Sequence, residues 1–375
     1  RYSVLGAGGL NQGKGSHTIP IVRTRDFLRR VIDNRIRARE KKVNLNRDIG
    51  EIREVSLFRS LAHRFLRMAL AIMLDIVMIR EARELNADLY ICNDLDTLRV
   101  GVFMKLLGKI VVYDSHELYP DLYSDTKPYV RRLTQEIEAL LIQHTDLVIT
   151  VNEFISLEMS SRYGIPPPKV VMNCPRRAAL PARRKKDHRR RIVLYHGGLV
   201  RERGLENVVQ ACKHLRQGIL LVFRGEGPIE NKLKQLAIGL DNCVFERPVP
   251  VSEVVSRATE ADVGIVTYLP TTLNNMYASP NKLFEYLQAG LPIIGSNLPF
   301  IRKILIENQV GMVFDSRDPK DIARVVNQAT EDDTLEKMKR NIDKIRNRFS
   351  WESESRKLID EVSHLVQQTS SKHSS

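Results

Sequence analysis

Short apolar runs alternate with amphipathic helical patterns through the second half of the chain. Four of these runs end in loops of small or polar residues, namely Ile192–Tyr195, Ile219–Phe223, Val263–Val266 and Pro292–Gly295. Helical patterns such as Leu205–Leu215 and Ile229–Ala237 separate them. This alternation predicts a parallel, doubly wound sheet. Ligands bind such sheets at the carboxyl ends of the strands, where these loops are expected to meet.

The first half shows the same alternation less completely. A helix is predicted at Leu133–Gln143, and strands are predicted at Leu89–Cys92, Ile110–Tyr113, Leu147–Val151 and Lys169–Met172. At 375 residues the chain is long enough for two domains with cores of their own. We therefore predict an α/β protein with a second Rossmann-like unit in its first half.

One helix of the second half, within residues 279–292, has both ends marked in the sequence. Ser279 suits the N-cap and Pro280 the first helical position. Gly290 suits a left-handed cap at the C-terminus, and Pro292 prevents continuation of the helix.

Lys282 is unusual in the first turn of this helix, where free N–H groups and the positive end of the dipole favour a carboxylate. A lysine would be stabilised at this position if a multiply charged anion binds beside it. The N–H groups of a helix N-terminus favour such an anion, for example a phosphate. Glu285 lies on the same helix face and could reach hydroxyls attached to that phosphate. A capped surface helix with a solvated lysine fits the same residues.

The net charge of +14 is concentrated in two basic clusters, residues 23–47 and 176–191. Aromatic residues are not interleaved with these charges and no nucleic-acid module is recognisable, so no nucleic-acid partner is predicted. An anionic membrane surface fits the first cluster. For the second cluster, a solvated linker fits at least as well as a membrane.

The remaining composition points to a cytoplasmic protein. The cysteines at 92, 174, 212 and 243 have no metal-ligand or disulfide spacing, and buried reduced thiols account for them. The most apolar stretch, Met68–Ile79, is interrupted by Asp75 and is too short to span a bilayer. If the basic clusters bind lipid, the protein would be peripheral at the inner face of the membrane.

Four motifs of the second half follow one another in the order found in a known family. They are Tyr195–Leu205, Arg224–Pro228, Ala261–Gly264 and Ser279–Pro292. Together they resemble the donor-binding half of the retaining glycosyltransferases of group 4, also called glycosyl transferases group 1. This resemblance implies the GT-B fold, in which two Rossmann-like doubly wound domains face each other across a cleft.

The resemblance implies a division of the chain. Residues 1–178 would form the acceptor-side domain, 179–190 a basic linker, and 191–350 the domain that binds a nucleotide-diphospho-sugar. Residues 351–375 would form a helix that crosses back to the first domain and ends in a frayed tail. Tyr2–Leu5 matches the second strand of the family's first domain, so its opening strand and helix are expected to be missing from this sequence.

Roles for individual residues of the second half are also implied by the resemblance. Glu285 matches the family's ribose-binding glutamate, while Lys282 and the amides after Pro280 would hold the diphosphate. Arg203 would face the same phosphates, and both cations are candidate catalytic residues. The donor-binding candidates are Gly197, Gly198, Gly225, Glu226, Ser279, Pro280, Asn281, Leu283 and Glu285.

The position eight residues before Glu285 departs from the family's pattern. The family often has a second glutamate there, in contact with the transferred sugar, and this chain has Tyr277. Tyr277, Thr272 and Asn275 are candidates for contacts with the sugar, and an ordinary polar loop is the alternative. The departure leaves the identity of the sugar open.

His116 directly follows a predicted strand of the first half. The family has a His-Glu pair at the reaction centre, so the resemblance implies a catalytic role for His116 near the leaving sugar. From the residues alone, a hydrogen-bonded histidine at a strand end is the simpler interpretation. Asp114 could orient its imidazole or cap the next turn.

Asp94 and Asp96 form an Asp-x-Asp sequence of the kind that binds Mg²⁺ or Mn²⁺ in glycosyltransferases of a different fold. The predicted phosphate site lies in the other half of the chain, where Lys282 and Arg203 would supply the positive charge. We therefore predict no metal and no other cofactor, and interpret the two aspartates as an acceptor-side loop or a helix cap.

The predicted function is transfer of a sugar from a nucleotide-diphospho-sugar to a glycan or lipid-linked acceptor, with retention of anomeric configuration. Cations and helix amides would stabilise the negative charge that develops on the leaving diphosphate. Two alternatives use the same phosphate site. One is a GT-B sugar-nucleotide epimerase, and the other is a non-catalytic member that binds a nucleotide-sugar or a partner.

Overall fold

The computed structural model describes residues 2–5, 21–22, 69, 71–179 and 190–372, with side chains described for 69, 71–179 and 190–369. The basic cluster at 23–47 and the linker residues 180–189 lie outside the described residues.

By compactness the chain divides into two units. The first consists of Arg1–His116 and Leu133–Ile149, and the second of Glu117–Arg132 and Thr150–Ser375. The division implied by the resemblance, at residue 178, is a functional one and stays a prediction.

The first unit is built on a parallel sheet. Its elements are β1 (Tyr2–Leu5), β2 (Ile21–Val22), α1 (71–85), β3 (Leu89–Asn93), α2 (Leu95–Leu106), β4 (Ile110–Ser115), most of α3 (Pro128–Ile142) and β5 (Leu147–Thr150). The strand order within this unit is β2-β1-β3-β4-β5. The first three pairings of this order are parallel, as the alternation of strands and helices predicted.

β1 lies between β2 and β3 and pairs in parallel with both. Both neighbours come later in the chain, so their places beside β1 are set by the crossover connections and not by the residues of β1. The expected match of β1 with the second strand of the family's first domain stays a prediction.

The second unit contains a longer series of elements. They are α4 (Glu153–Tyr163), β6 (Lys169–Val170), β7 (Arg191–His196), α5 (Leu205–Ala211), β8 (Ile219–Arg224), α6 (Glu230–Leu236), β9 (Cys243–Glu246), α7 (Val254–Ala258), β10 (Val263–Val266), α8 (Leu273–Met276), α9 (Asn281–Gln288), β11 (Ile293–Ser296), α10 (Pro299–Arg302), β12 (Gly311–Phe314), α11 (Pro319–Ala329), α12 (Asp332–Ile345) and α13 (Trp351–Lys372). The predicted strands and helices between 192 and 295 are confirmed, with ends shifted by a few residues.

The sheet of the second unit has the order β12-β11-β10-β7-β8-β9 and is parallel throughout. Successive side chains of its central strands enter different hydrophobic clusters. Val193 and Tyr195 pack in one cluster, and Leu194 packs in the other. Because alternate side chains point to opposite faces, both faces of this sheet are covered by helices. The loops after β7, β8, β10 and β11 consequently lie at one edge.

α4 shows how local sequence determines the ends of a helix in this unit. The side-chain oxygen of Asn152 accepts hydrogen bonds from the N–H groups of Phe154 and Ile155, at 2.9 and 3.0 Å. The helix is followed by Gly164 in the left-handed conformation, with φ of 63°. An N-cap amide and a C-terminal glycine thus satisfy the free backbone groups of the two ends.

The terminal helix α13 is held by segment 172–177 of the same unit. The backbone N–H of Met172 donates to Glu354, and that of Arg177 donates to Glu352. The helix continues to Lys372, beyond the predicted fraying at 369, and the hydroxyl of Thr369 donates to the carbonyl of Leu365 at 2.9 Å. Within the described ranges, the structure has no helix with the length and apolar character needed to span a bilayer.

Candidate functional site

The N-terminus of α9 lies at the carboxyl edge of the sheet in the second unit. The helix begins at Asn281 with Pro280 as the N-cap residue, one position later than the sequence predicted. Ser279 is therefore not the cap, and its hydroxyl oxygen is buried with no hydrogen-bond partner in the described part of the chain. At the other end, Gly290 has a φ of 70°, which confirms the left-handed cap. The first turn thus leaves backbone N–H groups available to a ligand.

Lys282 is the most unusual side chain of this region. It is only 8% exposed, and it forms no ion pair or hydrogen bond with any described residue. Its Nζ atom lies 4.1 Å from the centroid of the Tyr195 ring. The pKa of Lys282 is lowered to about 7, first by burial and then by the positive charge of Arg203, against the opposing effect of Glu285. A buried cation without a carboxylate is costly unless a ligand supplies the counter-charge.

Arg203 stands at the end of a short 3₁₀ turn, Arg201–Arg203, before α5. Its guanidinium carbon lies 3.7 Å from the centroid of the Tyr268 ring. The carbonyl of Arg203 accepts a hydrogen bond of 2.8 Å from the hydroxyl of Thr267, which fixes the turn against the end of β10. The positive charge of Arg203 contributes to the lowered pKa of Lys282, so the two cations lie close enough to repel each other. An anion bound by both would relieve this repulsion.

The glycine loops after β7 and β8 allow this close packing. Gly197 has a φ of 119°, and a Cβ atom there would lie 3.3 Å from the Nζ of Lys282. A Cβ at Gly225 would lie 2.0 Å from the carbonyl oxygen of Gly197. Gly198 is different, because a Cβ there would meet only a methyl group of Val200 at 3.9 Å. Gly197 and Gly225 thus shape the site, while Gly198 has room for a Cβ atom in ordinary van der Waals contact.

Glu285 lies one turn further along α9 and is paired with a residue of β7. Its Oε2 atom is 2.7 Å from the Nε2 of His196. The imidazole also packs on the ring of Tyr286, with ring centroids 4.5 Å apart. His196 had no role in the sequence analysis, and its position before two glycines was the only signal that could have singled it out.

The loop after β8 is anchored through Arg224. Its guanidinium donates to Glu246 at 2.7 Å, to Glu260 at 3.0 Å and to the carbonyl of Arg257 at 3.0 Å. The next candidate in this loop, Glu226, is exposed, and its carbonyl accepts a hydrogen bond of 2.9 Å from the N–H of Leu199.

The three sugar-contact candidates lie in and beside α8, and each has a structural contact. The hydroxyl of Thr272 accepts from the N–H of Asn275 and caps this short helix. The side chain of Asn275 donates to the hydroxyl of Thr271 at 3.0 Å. Tyr277 stacks on Phe154, with centroids 5.9 Å apart. Their role in sugar binding stays a prediction.

Asn274, on the same helix, holds the segment that follows His116 in the chain. Its side-chain carbonyl accepts from the N–H of Leu118 at 2.8 Å, and its amide donates to Glu117 at 2.6 Å. Asn274 is buried, so both halves of its amide are used within the protein. These partners are more than 150 positions away in the sequence, and no local pattern indicates the contact.

His116 itself is part of the first unit and lies between two aspartates. Its Nδ1 is 3.8 Å from Asp94 and its Nε2 is 3.4 Å from Asp114. The geometry agrees with Asp114 as a residue that orients the imidazole. Asp94 occupies the N-cap position of α2 with a φ of 67°, but its side chain makes no capping hydrogen bond.

Residues 177–348 match the family model described as Glycosyl transferases group 1. TuaH of Bacillus subtilis (strain 168), named for teichuronic acid biosynthesis, is 32% identical over 29% of this chain and 28% of its own length. WcaL of Salmonella typhimurium (strain LT2), named for colanic acid biosynthesis, is 26% identical over 43% of this chain and 42% of its own. The matches thus span less than half of each relative.

Solved structures share the fold. HepE of Anabaena, crystallised in complex with UDP, has a TM-score of 0.62 with 15% identity, over 78% of this chain and 82% of its own. Sucrose-phosphate synthase from Thermosynechococcus elongatus has a TM-score of 0.64 with 15% identity, over 77% and 76%. The fold class is α/β, with parallel sheets of the GT-B type, as predicted.

Proposed function

We propose that this chain is a group 1 glycosyl transferase, the family whose model residues 177–348 match, and that it transfers a sugar from a nucleoside-diphospho-sugar to a glycan acceptor. The observation that carries this proposal is the buried ammonium of Lys282, which has no ion pair among the described residues and lies in the first turn of α9. Such a cation, beside free helix amides, is suited to a doubly charged or more highly charged anion.

We propose that the diphosphate of the donor is this anion. Lys282, Arg203 and the N–H groups after Pro280 would hold its oxygens, and the hydroxyl of Ser279 would gain the partner that it lacks. Glu285 would accept hydrogen bonds from the ribose hydroxyls. This arrangement supplies positive charge where negative charge develops as the bond between sugar and phosphate breaks, and it thereby lowers the barrier. His116 would act near the leaving sugar.

The proposed reaction retains the anomeric configuration, as the family resemblance implies. It requires no metal, because two protein cations would neutralise the diphosphate. The names of TuaH and WcaL support an acceptor of polysaccharide biosynthesis, lipid-linked or growing at a surface. The UDP in HepE makes UDP-sugars the first donors to test. We propose a cytoplasmic enzyme that works at the inner face of the membrane, where such acceptors and the basic cluster at 23–47 would meet.

The test has two steps. Thermal stabilisation by UDP, GDP, ADP and CDP identifies the base, since a ligand that binds only the folded state raises the melting temperature. Radiolabelled sugar donors of that base are then followed with and without acceptor glycans. Transfer or slow hydrolysis with retention supports the proposal. A changed sugar on an intact nucleotide would indicate an epimerase, and binding without turnover a non-catalytic member.

A further inference from the structure

The carboxylate of Glu285 is held by a residue outside its own helix. Its Oε2 atom lies 2.7 Å from the Nε2 of His196, the last residue of β7. The side chain of Glu285 is 21% exposed, and its other oxygen has no hydrogen bond within the described parts of the protein. One carboxylate oxygen is therefore fixed, and the other is left for a ligand.

The chemistry of this pair defines where the proton lies. A carboxylate only accepts hydrogen bonds, so the short contact requires a proton on Nε2 of His196. The imidazole packs in turn against the ring of Tyr286 in a tilted arrangement, with 4.5 Å between the ring centroids. His196 is 7% exposed, so its ring has little freedom to turn away.

The backbone of His196 is held independently of its ring. The hydroxyl of Tyr286 accepts from the N–H of His196 at 3.1 Å and donates to the carbonyl of Leu194 at 2.8 Å. The end of β7 is therefore secured by Tyr286 and by the sheet, and a change of the imidazole leaves these bonds in place. The hydrogen bond to Glu285 is the function that is particular to the ring.

We propose that His196 is a positioning residue for ribose recognition, which presets the Glu285 carboxylate in the conformation that receives the ribose hydroxyls. The inference rests on the proposed function, because it takes Glu285 as the ribose-binding group. A flexible glutamate would lose side-chain entropy on binding, whereas a glutamate fixed beforehand by His196 has already lost it. His196 would thus increase the preference for ribose without touching the nucleotide.

Two variants separate this role from simple packing. His196→Phe keeps a planar ring on Tyr286 and removes the donor. His196→Gln keeps an N–H donor near the place of Nε2. The probes are UDP, GDP and ADP, each compared with its 2′,3′-dideoxy counterpart by titration calorimetry, and the base that binds best is used for the variants.

We expect the wild-type protein to prefer the ribose form by roughly ten- to hundredfold, the range of a hydrogen bond to a charged group. His196→Phe should weaken the ribose form about tenfold and the dideoxy form less than twofold, so that the ratio of the affinities falls toward one. His196→Gln should keep most of the wild-type ratio.

An equal loss for both forms in His196→Phe, with an unchanged ratio, would overturn the positioning role and leave the ring a packing residue. A wild-type protein that binds the diphosphates without preference for ribose would remove the role of Glu285 instead. If none of the diphosphates binds, the proposed function fails and this inference fails with it. The three failures are distinguishable by which ligand and which variant loses affinity.

Discussion

The ammonium of Lys282 lies over the ring of Tyr195, with 4.1 Å between Nζ and the ring centroid. The face of an aromatic ring attracts a cation, but it replaces only part of the hydration that burial removes. The opposing carboxylate of Glu285 is hydrogen-bonded to His196 instead of to the lysine. Protonation of Lys282 in the free protein therefore places an unbalanced positive charge beside the start of α9.

Donor binding should take up a proton at Lys282. In the free protein its pKa is lowered to about 7, and a bound diphosphate should raise it toward the ordinary 10.5. At pH 8 most free molecules carry a neutral lysine, so binding of the preferred nucleoside diphosphate should take up close to one proton. Calorimetry in two buffers of different ionisation enthalpy measures this uptake. It should disappear in Lys282→Met, and equal uptake by the two proteins would contradict the prediction.

The same lysine should destabilise the ligand-free protein at low pH. Its folded-state pKa lies below the ordinary value, so the penalty is complete below about pH 7 and declines as the pH rises toward 10.5. Lys282→Met should therefore raise the free energy of unfolding at pH 6, on the order of 2 kcal/mol, and by less at pH 9. Urea unfolding at both pH values measures this difference. A gain that is larger at pH 9 would contradict the sign.

Replacement of Glu285 by alanine should weaken nucleotide binding about tenfold or more, with little loss of folding stability, because the carboxylate is partly exposed. Glu206 provides a matched control, since it is also 21% exposed and has one ionic partner, Lys232. Titration calorimetry and melting temperatures should show lost affinity only for Glu285→Ala. Unchanged affinity in that variant would refute the ribose role.

The glycines of the two loops should differ sharply in their tolerance of alanine. A Cβ atom at Gly225 would lie 2.0 Å from a backbone oxygen, so Gly225→Ala should cost about 2 kcal/mol of stability or more. Gly198→Ala meets only a side-chain methyl at 3.9 Å and should stay within about 0.5 kcal/mol of wild type. Chemical denaturation of both variants checks the contrast, and similar losses would count against the packing described here.

Chelation should leave sugar transfer intact once the donor is known. The proposed site neutralises the diphosphate with Lys282 and Arg203, so EDTA should not change the rate of transfer. Activity assays before and after chelation measure the effect. A collapse that Mn²⁺ restores would instead favour Asp94 and Asp96 as ligands.

The local parts of this protein follow from its sequence. The alternation of apolar runs and helical patterns predicted the strands and helices from residue 192 to residue 295, and Gly290 predicted the left-handed end of α9. These features depend on neighbouring residues, because periodicity determines which face is buried and glycine alone enters that backbone region easily. Lys282 was recognisable for the same reason, as a cation on the wrong end of a helix dipole.

Only the tertiary structure decided which distant residues meet. The pairing of His196 with Glu285 joins residues 89 positions apart, and Asn274 reaches back 157 positions to Glu117. The place of β1 between β2 and β3 likewise depends on crossovers and not on the residues of the strand. Sequence patterns constrain each element alone, whereas the packing of parallel strands at one edge determines which side chains share a site.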